Sequence, residues 1–291
     1  MAMKDNLFTE DLKQSTGMRV FLFLVILLIS SLVGIAFSML FMFSSDTGLK
    51  IGQGISSALM FIVPPIVYYF ITRKEKPMQA LGFRKISPVW LVIVGIALMF
   101  ISLPVTNQLT TWNESMKLGG VFSQLEKWMK TLEEAAQTAT EKMLQADNIG
   151  GLLLNLLIIA LIPAVGEELT FRGVLQQSLT RGMKNPHVAI LLSAAIFSFI
   201  HFQFYGFLPR MFLGILLGYM FYITDSLWTS IAMHFVNNGT AVVLYYLNNK
   251  GVIDVDVDHF GAMDGWMVAL SAVATLGLIA WGWKQKERLP K

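Results

Sequence analysis

Three groups of polar residues are set inside or against long apolar runs, and their spacing could serve one reaction. Gly166-Glu167-Glu168-Leu169-Thr170-Phe171-Arg172 directly continues the apolar run Leu152 to Val165. Glu168 and Arg172, four residues apart, lie one above the other on a helix face and can pair, whereas Glu167 points about 100° away. One carboxylate is thereby neutralised and the other left available. Phe197-Ser198-Phe199-Ile200-His201 closes the run Val188 to Ile200, and His234-Phe235-Val236-Asn237-Asn238 lies between Trp228 and Tyr246. His234 and Asn238 again share a helix face, so two polar groups look the same way. Taken singly, each group has an ordinary explanation: a surface ion pair at a helix end, or a structural histidine satisfied locally. His187 and His259 are given no role.

A carboxylate withdrawn from water is a better base, so the free glutamate suits activation of a water molecule, with a histidine sharing or relaying the proton. Histidine and asparagine donors facing one point can hold the oxyanion of a tetrahedral intermediate. Other plans lack their residues. With no cysteine in the chain there is no thiolate nucleophile, thiolate zinc site or disulfide. There is no His-Glu-x-x-His pair and no Gly-x-Gly-Asp, and Gly54-Ile55-Ser56-Ser57 lacks the glycine that should follow a serine nucleophile.

The elements that must carry these residues are membrane helices. The chain is 55% hydrophobic and only 14% charged, against about 25% charged residues in an average soluble domain. Apolar runs recur at lengths that cross a hydrocarbon core about 30 Å thick. The first, Val20 to Phe43, is too long for a signal-peptide core of about 7–15 residues and is kept as a mature span. Spans are expected near 19–43, 51–71, 88–105, 150–166, 187–204, 209–223, 226–247 and 264–283. The fold class is therefore all-α, a polytopic bundle of about eight transmembrane helices with one amphipathic extramembrane insert.

Arg73, Lys74, Lys76, Arg84 and Lys85 follow the second span, and Lys284, Lys286, Arg288 and Lys291 follow the last. The positive-inside rule puts both segments and both termini in the cytoplasm, and the Asp46 loop, residues 106–149 and the Asp254/Asp256/Asp258 loop outside. A bacterial plasma membrane is the expected location. In the 106–149 insert, Val121, Phe122, Leu125, Trp128, Met129, Leu132, Ala135 and Ala136 recur at helical spacing, predicting an amphipathic helix on the outer interface or against the bundle. At about 1.5 Å per residue, Glu167 lies roughly 21 Å from a surface near Arg181, His201 roughly 21 Å from His187, and His234 and Asn238 roughly 12–18 Å from Ser226. Scattered structural residues have no reason to agree in depth, so one shared polar cavity is expected. Three regions result: 1–149, N-terminal helices plus insert; 150–248, a catalytic core; and 249–291, an outer loop, last helix and basic tail.

Glu167-Glu168-x-x-x-Arg172, Phe197-x-x-x-His201 and His234-x-x-x-Asn238, in this order on successive helices, resemble the CPBP family, the CAAX proteases and bacteriocin-processing enzymes also called Abi. The flanks Ile162-Pro163-Ala164-Val165-Gly166 and Phe171-Arg172-Gly173-Val174-Leu175-Gln176 are similar too, and the likeness covers about 150–247. The resemblance implies an intramembrane endopeptidase with Glu167 as water-activating base, His201 assisting, His234 and Asn238 as the oxyanion site, and Glu168 with Arg172 as a structural or substrate-orienting pair. It leaves open a divalent metal such as zinc, held by Glu167, His201 and His234, or a metal-free glutamate mechanism, which is preferred. The expected partners are a peptide or protein substrate, entering from the membrane or the cytoplasmic side, and the lipid bilayer. No nucleic acid is expected, because no basic patch interleaved with aromatics is present. The competing readings are a bacteriocin self-immunity protein and a proton-coupled transporter using the same buried Glu and His residues; the inverted halves common in transporters are not visible.

Overall fold

The computed structural model describes residues 16–41, 44–72, 77–83 and 87–286. The basic positions Arg73, Lys74, Lys76, Arg84, Lys85, Arg288 and Lys291 lie outside these residues. The described chain is all helical, without strands. In order it forms α1 (Thr16–Met39), α2 (Asp46–Phe61), α3 (Val63–Thr72), α4 (Pro77–Leu81), α5 (Val89–Ile101), α6 (Leu103–Ser115) and α7 (Ser123–Leu144). There follow α8 (Ile149–Met183), α9 (Pro186–Phe199), α10 (Phe207–Thr224), α11 (Leu227–Asn249) and α12 (Gly265–Lys286).

Among the described residues, five stretches are long and apolar enough to cross a membrane: α1, α2 with α3, α8, α10 with the turn before it, and α12. The pair α5 and α6, bent by 43°, makes a sixth. The expected eight is reached only if α9 and α11 also cross. Helix α9 has 14 residues, about 21 Å of rise against a core of about 30 Å. It falls short because the chain reverses just after Phe199, with Phe202 in the left-handed region at φ 53°. Helix α11 is long, at 23 residues, but its middle carries His234, Asn237 and Asn238.

Prolines break the helices where the site is built. Between α2 and α3, Pro65 has no N–H to offer the Phe61 carbonyl four residues earlier, and Thr170 Oγ1 donates to that carbonyl instead at 2.8 Å. Gly166 makes this approach of α8 possible, since a Cβ there would lie 2.8 Å from the Phe61 Cβ. Helix α8 itself is wound more loosely, π-helical, over Leu156–Leu161 and again over Leu169–Gln176, on either side of Glu167 and Glu168. Helix α10 meets α8 and α9 through Gly214 and Gly218. A Cβ on Gly214 would stand 3.0 Å from that of Ala194, and the bare backbone lets Arg172 Nη2 and Gln176 Nε2 donate to the Gly214 and Gly218 carbonyls at 2.8 and 2.9 Å. Phe171 packs edge-on against Phe197, centroids 5.1 Å apart, in a core that also holds Phe23, Tyr68, Tyr69 and Phe221.

The insert divides into the end of α6, a turn, and the amphipathic α7. Glu126 ties the turn by accepting from the Leu118 and Gly119 amides, each at 3.1 Å, while pairing with Lys130 at 2.9 Å. At the C-terminus of α7, buried Lys50 donates to the Gln145 carbonyl and to Asn155 Oδ1, and Asn155 Nδ2 donates to the Leu144 carbonyl. A cation and an amide thus satisfy the last carbonyls of the helix. Midway along α7, Glu133 accepts from the Tyr205 amide at 3.2 Å and Trp128 meets Phe204. The face expected on the interface is only partly covered: Met129 and Leu132 are half-buried, while Val121, Phe122, Leu125 and Trp128 remain exposed. Contacts of Lys142 with Asp46, Lys250 with the Asp147 carbonyl, and Asn107 with the Phe260 carbonyl gather the loops expected outside onto one face of the bundle.

Candidate active site

Glu167, His201, His234 and Asn238 line one cavity of about 460 Å³. Its walls come from the α5–α6 bend (Met99, Ser102, Leu103, Thr106), α8, the α9–α10 turn and α11, with Val257 and Asp258 of the loop after α11 at one end. Looser winding of α8, early termination of α9 and the polar centre of α11 are the three local features that open this space.

Glu168 does not reach the cavity. Its Oε1 accepts from Arg172 Nη1 at 2.7 Å and from His234 Nδ1 at 3.0 Å, with Glu168 and Arg172 both essentially inaccessible to solvent. The guanidinium lies 5.1 Å from the Phe197 ring centroid. A paired and hydrogen-bonded charge is the only form in which such groups are tolerated in hydrocarbon. Glu168 also fixes the neighbouring imidazole: with Nδ1 carrying the hydrogen toward the carboxylate, Nε2 is turned to Glu167, whose Oε2 is 3.7 Å away. That is too long for a hydrogen bond, but both atoms can reach one water molecule at about 2.8 Å.

His201 is oriented by backbone. Its Nδ1 lies 2.8 Å from the Phe197 carbonyl, which can only accept, so Nδ1 carries the hydrogen and Nε2 keeps its lone pair. Asn238 Oδ1 accepts from Asn237 Nδ2 at 3.1 Å, which sets the amide with its Nδ2 toward the Ile159 carbonyl at a long 3.4 Å. That carbonyl lacks its usual partner because Pro163 has no N–H. One Asn238 hydrogen is thereby directed at backbone, and the second remains for a guest.

The site contains groups that motif spacing did not mark. Arg210 of α10, Asn237 and Asp258 also line the cavity. For Arg210 a signal existed, a single cation at the start of an otherwise apolar run. Asp258, twenty residues beyond Asn238 at the end of the last motif, had none. As for a metal, among the described residues no three His, Asp or Glu side chains are grouped so as to hold one. Glu167, His201 and His234 share the cavity, and the Nδ1 contacts of the two imidazoles, with the Phe197 carbonyl and Glu168, leave each Nε2 free, the way a metal-ligating histidine is usually supported.

Residues 149–240 match the family model of the Rce1-like type II CAAX prenyl endopeptidases. This segment is similar to the CAAX-protease family domain. It contains all three motifs and begins with α8. No curated protein and no solved structure matches the chain. With its long apolar helices, the chain has the make-up of an integral membrane protein that carries a CAAX-protease-like domain.

Proposed function

We propose that this protein is an intramembrane endopeptidase that hydrolyses a peptide bond with water activated by Glu167. The observation that carries the reading is the division of labour between adjacent carboxylates: Glu168 is consumed by Arg172 and His234, whereas Glu167 faces a cavity with two imidazoles and an amide. In the proposed sequence Glu167 takes a proton from a water held between its Oε2 and His234 Nε2, and the water oxygen attacks the carbonyl carbon. The oxyanion is held by the free Nδ2 hydrogen of Asn238, while His234 Nε2 accepts from the hydrogen that stays on the attacking oxygen and Glu167 keeps the transferred proton for the leaving amine. The carbon–nitrogen bond breaks as a proton passes to the departing amine, with the lone pair of His201 Nε2 serving as relay. No step is routed through a metal.

The substrate proposed is a peptide or protein segment at the bilayer. Val257 and Asp258 line one end of the cavity, and the positive-inside rule assigns their loop to the outer face; this favours arrival from the membrane or from that face over the cytoplasmic route.

The test uses purified full-length protein in detergent and a peptide library. Wild type should cleave, and Glu167→Gln should lose roughly 10²–10⁴-fold or more while keeping its melting profile, since the amide keeps the shape without the base. Asn238→Ala should cost roughly 10²–10³-fold. If wild type cleaves no peptide or membrane protein, yet Glu167→Gln alters a pH-dependent flux in liposomes, the site belongs to a transporter and the peptidase reading is wrong.

A further inference from the structure

The cavity that holds Glu167 contains a cation that the proposed hydrolysis does not use. Arg210 stands near the start of α10 and lines the cavity together with Glu167, His201, His234 and Asn238. Its Nη1 donates to the Gln203 carbonyl at 3.3 Å and its Nη2 to Gln203 Oε1 at 2.9 Å. These bonds occupy two of the five N–H donors of a guanidinium. The amide of Gln203 is itself held from behind, Nε2 lying 3.5 Å from Glu133 Oε1 on α7. Among the described residues Arg210 makes no ion pair. The acidic groups on the cavity wall are Glu167 and Asp258, and Asp258 Oδ1 accepts from the Tyr245 hydroxyl at 2.8 Å.

An arginine that only anchored a helix end would extend its stem to the interface and leave its head in water. This one folds back over Gly206, where a Cβ would come within 2.9 Å of Nη2. Gly206 thus keeps a place for the guanidinium at the edge of the cavity, and Gln203 holds it there in a fixed plane. Among the described residues no carboxylate lies within ion-pair distance of this fixed, half-buried guanidinium, although Glu133 and Glu167 act on its charge from farther off, and its remaining donors can meet a carboxylate directly.

We propose that Arg210 is the substrate-positioning residue that binds a carboxylate of the peptide, either its C-terminal carboxylate or an Asp or Glu side chain near the scissile bond. The proposal rests on the peptidase reading of the same cavity. It makes specificity a matter of one charge pair supplied by the guest, formed when the substrate arrives and therefore expressed in KM more than in kcat.

The test separates the two sources and the two readings. A pool of labelled short peptides is prepared in matched pairs: free C-terminal acid against C-terminal amide, and internal Glu against internal Gln with the C-terminus amidated. Cleavage is followed with wild type, and binding with the Glu167→Gln chain, so that the preference can be read even where no turnover occurs. One pair should show at least a tenfold preference for the carboxylate member, carried by KM. Arg210→Gln should abolish that preference, and Arg210→Lys should retain part of it. Gly206→Ala, whose added methyl meets only the flexible end of Arg210, should weaken it without loss of folding even if Arg210→Gln folds poorly. Equal handling of acid and amide in both pairs, in cleavage and in binding, overturns the proposal. So does an Arg210→Gln variant that lowers kcat alike for both members of a pair, the mark of an oxyanion or purely structural role. Absence of cleavage together with an Arg210-dependent carboxylate preference in binding would instead refute the peptidase reading and leave the carboxylate site standing.

Discussion

Replacing Arg172 by methionine removes the partner of a carboxylate that has no other charge to turn to. Glu168 is fully buried, and the lost guanidinium supplies both the 2.7 Å bond to its Oε1 and the 2.8 Å bond to the Gly214 carbonyl of α10. Removing one member of a buried pair typically costs about 3–5 kcal/mol. His234 Nδ1 remains on Glu168 at 3.0 Å, which sets the expectation at the lower end, about 3 kcal/mol. For a domain of comparable size each kcal/mol moves the midpoint by roughly 2–4 °C, so thermal unfolding in detergent should fall by roughly 6–12 °C. The double variant Glu168→Gln with Arg172→Met removes the orphaned charge while Gln Oε1 still accepts from His234, and should recover at least half of the loss. The measurement is a double-mutant cycle on thermal midpoints. A single variant that melts within about 2 °C of wild type, or a double variant no more stable than Arg172→Met, would refute the assignment of this pair as a structural tie between α8, α10 and α11.

Gly166→Ala should destabilise by about 1–3 kcal/mol, because the new Cβ would sit 2.8 Å from Phe61 Cβ on a backbone held by Thr170; an unchanged midpoint would show that the α2–α3 break can give way. The Glu126 carboxyl is held below its ordinary value of 4.5 first by the Gly119 amide and then by Lys130. Its tie on the 118–122 turn is therefore complete above pH about 4.5 and lost as pH falls through the lowered value; the protection of the Gly119 amide, measured relative to its intrinsic exchange rate at each pH, should fall on acidification, and Glu126→Gln should remove that dependence. In this cysteine-free chain, single cysteines at 258 and 284 should label from opposite sides of the membrane, position 258 from outside; labelling of both by one impermeant reagent from one side would overturn the topology.

Much of this protein is legible in its sequence because hydrocarbon is an unforgiving solvent. Helices follow from the need to satisfy every backbone N–H and C=O internally, and Glu167, Glu168, Arg172, His201, His234 and Asn238 stand out because nothing polar is kept in such runs without a partner or a task. Helical spacing was enough to pair Glu168 with Arg172 and to leave Glu167 apart. Spacing could not say that His234, sixty-six residues away, also binds Glu168, which decides the tautomer of the imidazole and turns its other nitrogen to Glu167. Nor could it show that Pro65 frees the carbonyl that Thr170 takes up, that α9 stops within the bundle, or that Arg210 folds over Gly206 into the cavity. Sequence periodicity is a property of one helix at a time, whereas a site in a bundle is made where helices cross, and which faces cross is decided by close contacts at Gly166, Gly214 and Gly218 that only the tertiary structure contains.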